Sequence, residues 1–111
     1  MKFTVKRNKW ARGGKNGETL LRNEEGNMCC LGFVCRKLGA KVKDIDRRGF
    51  PSDTAFESKF LETFPSDPET GSMFEETAAN INDDADLAPN TREARLKKLF
   101  RSRGHEIVFV P

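Results

Sequence analysis

The sequence predicts an α+β domain in which a small antiparallel or mixed sheet is covered by three to four helices. Three observations point there. Phe3 and Val5 alternate with Lys2, Thr4 and Lys6, the period-two pattern of a half-buried strand. Residues 105–110, with the apolar run Ile107 to Val110 after Gly104, read as a further strand. Between them, apolar residues recur at helical spacing in segments divided by glycine and proline breaks. The expected order is β-β-α-α-α-α-β, with strands near 2–6, 18–22 and 105–110 and helices at 28–38, 53–64, 73–82 and 91–103. A chain of 111 residues fits one domain, 1–111.

Each element has a local reason. Residues 7–17 hold three glycines and four bases around the single Trp10 and read as a loop. The strand at 18–22 closes on the turn Asn23-Glu24-Glu25-Gly26. Asn27 is placed to cap the helix at 28–38, which Gly39 ends in the left-handed conformation. Lys43 to Asp46 suits a single helical turn, broken by Gly49-Phe50-Pro51. Phe56, Phe60 and Phe64 share one face of the helix at 53–64, which Pro65 ends. Ser72 with Glu75, and Asn90 with Glu93, have the spacing of capping boxes for the last two helices.

Composition narrows the function classes. With 36% hydrophobic and 33% charged residues, and no apolar run near the roughly 20 residues of a membrane helix, a cytoplasmic location is expected. The basic start Met-Lys-Phe-Thr-Val-Lys-Arg lacks the apolar stretch of a signal peptide. In that compartment Cys29, Cys30 and Cys35 stay reduced. The net charge of +3 conceals a segregation: residues 1–22 carry seven bases against one acid, 53–86 one base against ten acids, and 91–106 six bases against two acids. Such blocks serve either as mutually attracting solvated faces or as a basic surface for an anion. Nucleic acid is not the expected partner, because no aromatic residues interleave with the bases.

On a helical wheel begun at Met28, Cys30, Leu31, Val34, Cys35 and Leu38 share the core arc, and Cys29 falls outside it. In the first turn of a helix, where free N–H groups favour a thiolate, Cys29 is the candidate nucleophile and His105 the sole histidine available as its base. That pair is the catalytic alternative, a cysteine-dependent hydrolase. The thiol spacing does not suit zinc, so no metal and no cofactor are expected. Gly32, mid-helix, reads either as a close backbone approach or as a surface on which a ligand rests. Trp10, Arg12, Gly13 and Gly14 combine an aromatic plane, a base and free amides, the parts of a site for a phosphate with a stacked ring. Asn82 and Asp83 offer donors and acceptors to polar edges of such a ligand. The competing readings are a Trp10 that plugs the core edge and Asn-Asp residues that simply end a helix.

Trp10 with Arg12-Gly13, Leu20-Leu21 before the Gly26 turn, Met28-Cys29-Cys30-Leu31-Gly32, Ile81-Asn82-Asp83, and Leu99-Phe100 with Gly104 and Val108-Phe109 together resemble a group of short bacteriophage and prophage proteins. The resemblance covers most of the chain and weakens between about 43 and 70. It implies a phage accessory protein of the counter-defence type acting in the host cytoplasm, and carries no catalytic assignment. Under it, the expected function is sequestration of an anionic nucleotide-like ligand. The alternative is inhibition of a host defence protein complex through a charged surface. A small chain closes a ligand site most readily at a symmetric interface, so a homo-oligomer is the expected assembly.

Overall fold

The computed structural model describes residues 1–13 and 20–111. It is an α+β arrangement with two strands, β1 (Lys2–Lys6) and β2 (Glu106–Val110), paired in a two-stranded sheet. Among the described residues five helices lie between them in sequence: α1 (Cys30–Lys37), α2 (Val42–Ile45), α3 (Glu57–Thr63), α4 (Phe74–Asp83) and α5 (Pro89–Ser102). Short 3-10 turns occupy Arg7–Lys9 and Pro51–Asp53. The strands run parallel, with Lys2 opposite Glu106 and Lys6 opposite Val110, rather than in an antiparallel or mixed sheet. Parallel pairing needs a long crossover. The helices supply it, with α5 turning at Gly104 to deliver β2 alongside β1.

Of the strand expected at 18–22, residues 18 and 19 lie outside the described residues. Leu21 and Arg22 do not join the sheet. They pair with the segment after α2, Leu21 N–H donating to Arg48 O at 2.7 Å and Arg47 N–H to Arg22 O at 2.8 Å. Their alternation is that of a strand, but their partner is the loop at 46–48.

The helix starts differ from those expected, and each has a visible cause. Cys29 is the N-cap of α1, and the Asn27 amide is instead held by Asn23 Oδ1 in the preceding turn. Glu75 does not close a capping box on Ser72. It is buried and accepts the Ser52 amide at 3.1 Å, so it fastens the Pro51 turn. Pro89 sits at the first position of α5, where its fixed φ suits a helix start, and this moves the beginning ahead of Asn90. The sequence 51–56 is taken up by the 3-10 turn and the Thr54 Oγ1–Phe56 N–H bond, so α3 begins only at Glu57.

The core has two parts. Helix α1 buries Cys30, Leu31, Gly32, Val34 and Cys35 against β1, α2 and α4. An aromatic cluster of Phe3, Phe60, Phe64, Phe74 and Phe100 joins β1, α3, α4 and α5, with Phe64 and Phe74 stacked at 4.1 Å. Gly32 is required by close approach: a Cβ there would overlap the Leu21 carbonyl oxygen and come within 2.8 Å of Met28 Cβ. The Leu20–Leu21 strip therefore lies directly on the bare face of α1. No helix among the described residues is long and apolar enough to cross a membrane.

Candidate functional site

Asn82, fully buried in the last turn of α4, draws together most of the residues singled out in the sequence. Its Oδ1 accepts the Trp10 indole N–H at 2.8 Å and the Cys30 amide at 3.1 Å. Its Nδ2 donates to Ala11 O and to Asp83 Oδ1, each at 3.0 Å, and its own carbonyl accepts the Gly13 amide at 2.8 Å. One asparagine thus caps α1 from outside and fastens the Trp10–Gly13 loop onto it. The loop is also bridged to Met28, with Ala11 N–H donating to Met28 O and Met28 N–H to Lys9 O.

The expected proximity of Trp10, Arg12, Gly13, Asn82 and Asp83 is present, but the roles differ. Trp10 is 5% exposed, with Phe109 packed at 4.8 Å and the Arg12 guanidinium 4.5 Å from the ring centroid. It has no free face on which a ligand ring stacks, and it plugs the core. The Gly13 amide, with φ at +82°, is used by Asn82 O and is not available to a phosphate. The Asn82 side chain is engaged at both its oxygen and its nitrogen, and Asp83 Oδ1 accepts from it. Gly14 lies outside the described residues.

Arg12 is half-buried, as are Gly13 and Asp83, and is the one cation among the expected residues. It donates to the Arg7 and Trp10 carbonyls, both at 3.1 Å. Burial lowers its pKa below the ordinary guanidinium value, and repulsion from Arg92 and Arg7 adds to this against the attraction of Glu93. Arg7 forms a two-pronged pair with Glu93 at 2.8 and 2.7 Å. Arg92, 5% exposed, donates to the Asp84 and Leu87 carbonyls, while its Nε is buried and makes no hydrogen bond among the described residues. Arg7, Arg92 and Glu93 were not among the expected site residues. A signal for Arg92 was present: it stands four residues before Leu96 and eight before Phe100, a base in the core phase of α5.

The cysteine dyad is not assembled. Cys29 is 4% exposed and has extended backbone angles (φ −71°, ψ 174°), so a wheel for α1 does not locate it. Burial pushes its thiol from 9.0 up to about 12, outweighing the Gly32 and Leu31 amides that favour the thiolate. Cys30 is likewise raised by burial, and Cys35 to about 12. His105 belongs to the aromatic cluster, 4.7 Å from Phe64 and 5.9 Å from Phe3 by ring centroids, with Nε2 3.1 Å from Thr63 O. Its Nδ1 is buried without a partner among the described residues.

The surface of α5 is where exposed bases and concave shape coincide. One shallow depression is lined by Asn90, Thr91, Ala94, Arg95 and Lys98. A second, of about 450 Å³, runs between α5 and β2, lined by Lys97, Arg101 and residues 105–108. No protein-family model, curated protein or solved structure matches this chain.

Proposed function

We propose that this chain is a non-catalytic binding protein that recognises an anionic partner protein through the basic surface of α5 and β2. In the phage setting that its sequence suggests, the partner is a host defence complex that the chain inhibits. The observation that carries this reading is the exposed row Lys97, Lys98 and Arg101 beside the α5–β2 groove. Catalysis by Cys29 is disfavoured because a buried thiol with its pKa near 12 holds almost no thiolate at neutral pH. The test is co-purification from host cells, followed by reconstitution with the purified partner. A stoichiometric partner should be released as salt rises, since exposed charges are screened within about 8–10 Å at physiological ionic strength. Lys97→Glu with Lys98→Glu should abolish its capture. Failure to capture any partner whose binding depends on these bases refutes the reading.

A second reading, sequestration of a nucleotide-like anion, is favoured by the crowding of Arg92 and Arg7 about Arg12, offset by the carboxylate of Glu93 that Arg7 already pairs. In this version Arg12 meets a phosphate, and Trp10 supports the guanidinium instead of stacking on a base. A ligand at a hundredfold excess over its Kd stabilises the fold by about 2.7 kcal/mol. Arg12→Ala should remove that shift. No shift of the wild type with any cyclic or ADP-ribose-derived nucleotide refutes it.

A further inference from the structure

We infer that the groove between α5 and β2 takes an extended acidic segment of the partner as a third strand, added to the free edge of β2. This rests on the proposed protein-binding function and names its mode. The phase of the parallel ladder carries the argument. Glu106 N–H donates to Met1 O, so Glu106, Val108 and Val110 direct their backbone groups towards β1. Ile107 and Phe109 therefore direct theirs to the opposite side, where neither makes a backbone hydrogen bond to another element of the described chain. The groove lies on that side. The consecutive residues Glu106, Ile107 and Val108 all line it, although their side chains alternate between faces, and no residue of β1 does. A strand edge offers successive residues in this way, because their side chains point to opposite faces and only the backbone edge is common to them.

A long open edge invites pairing with any strand, and bases beside it select which. Lys97 and Arg101, one turn apart on the exposed face of α5, line the groove, and Glu106 is its single acid. An incoming strand with Asp or Glu at alternate positions meets complementary charge. A second copy presenting its own β2 would bring Lys97 and Arg101 against their equivalents, which disfavours self-pairing.

The probe is a displayed library of random dodecapeptides, selected on the intact chain. Enriched sequences should alternate Asp or Glu with β-forming residues. Their binding should fall roughly tenfold in a chain carrying Lys97→Glu and Arg101→Glu, the scale of two exposed charge pairs reversed. N-methylation of alternate peptide amides should abolish binding in one phase and leave it intact in the other. Hydrogen exchange should slow at the Ile107 and Phe109 amides on binding. Three outcomes overturn the inference: peptides indifferent to N-methylation in both phases, capture of single-stranded nucleic acid in their place, or protection of the same amides by dimerisation of the free chain. A host partner that is lost on Lys97→Glu with Lys98→Glu but does not protect the Ile107 and Phe109 amides overturns the strand mode while leaving the binding function standing. Absence of any partner removes the function itself.

Discussion

Replacing Asn82 by Ala should be among the most damaging single changes in this protein, and the structure gives the size. The truncation removes the acceptor of the Trp10 indole N–H and of the Cys30 amide and the donor to Ala11 O, all around a fully buried side chain. A buried donor left without a partner costs about 1–3 kcal/mol, so the two N–H groups alone give an expected loss of about 3 kcal/mol. Total stabilities of about 5–15 kcal/mol make that a large fraction. Near this chain length each kcal/mol moves the melting midpoint by about 4–8 °C, so the drop should reach roughly 12 °C or more. Urea unfolding followed by far-ultraviolet circular dichroism measures it without depending on Trp10. The cycle with Trp10→Phe isolates one bond: in that background Asn82→Ala should cost about 1 kcal/mol less than in the wild type. A loss below about 1 kcal/mol for Asn82→Ala, or strictly additive effects in the cycle, would refute the assignment of Asn82 as the polar hub.

Other consequences follow from burial and close approach. Gly32→Ala should destabilise by about 1–2 kcal/mol, because overpacking against the Leu21 carbonyl exceeds the gain of about 1 kcal/mol in helix propensity; a more stable variant in urea unfolding would show that the Leu20–Leu21 strip shifts freely. Iodoacetamide at pH 8 should leave Cys29, Cys30 and Cys35 unmodified in the folded chain and label all three in urea, read by intact mass. Burial keeps the Cys29 and Cys35 thiols protonated to about 12, whereas in the unfolded chain they ionise near 9.0. The unfolded state therefore loses protons first, and the stability present below pH 9.0 declines towards pH 12, at up to about 1.4 kcal/mol per pH unit for each thiol. Glu93 behaves oppositely. Its pKa is held below 4.5 by the hydrogen bonds from Arg7, so its contribution is present above that pH and is lost on acidification through the lower folded value. Arg7→Ala should flatten the acid limb of a stability–pH profile.

The parts of the fold that were legible in the sequence are those governed by local periodicity. β1, β2 and the bodies of α1, α4 and α5 follow from side-chain spacing, and Gly39 and Gly104 end their helices at φ +109° and +79° as glycine allows. Caps are less legible. Ser72, Glu75, Asn90 and Glu93 have the right spacing, yet Glu75 and Glu93 are drawn to Ser52 and Arg7, residues 23 and 86 positions away. A tertiary partner offers a carboxylate more than its own helix end does. The α1 cap comes from Asn82, 52 residues further along the chain, a donor-acceptor match that no local pattern announces. Strand direction was also illegible, because alternation marks the buried face and is silent about the neighbour.

The Trp10 loop shows why a polar hub and a ligand site look alike before folding. Both need a residue that donates and accepts at once, an aromatic ring with one polar edge, a glycine at positive φ and a base. In this chain those demands are met internally: the indole N–H ends on Asn82, the Gly13 amide ends on the Asn82 carbonyl, and the ring is closed by Phe109 and Arg12. What distinguishes a ligand site is polar capacity left over after folding. Around this hub the described residues leave guanidinium capacity, held by the half-buried Arg12 and by the buried Arg92 Nε. Along β2 it is backbone, at Ile107 and Phe109. The two surpluses call for different complements: a compact anion for the first, a strand with carboxylates for the second. The second also has a groove and exposed bases beside it, which is why the partner is sought there.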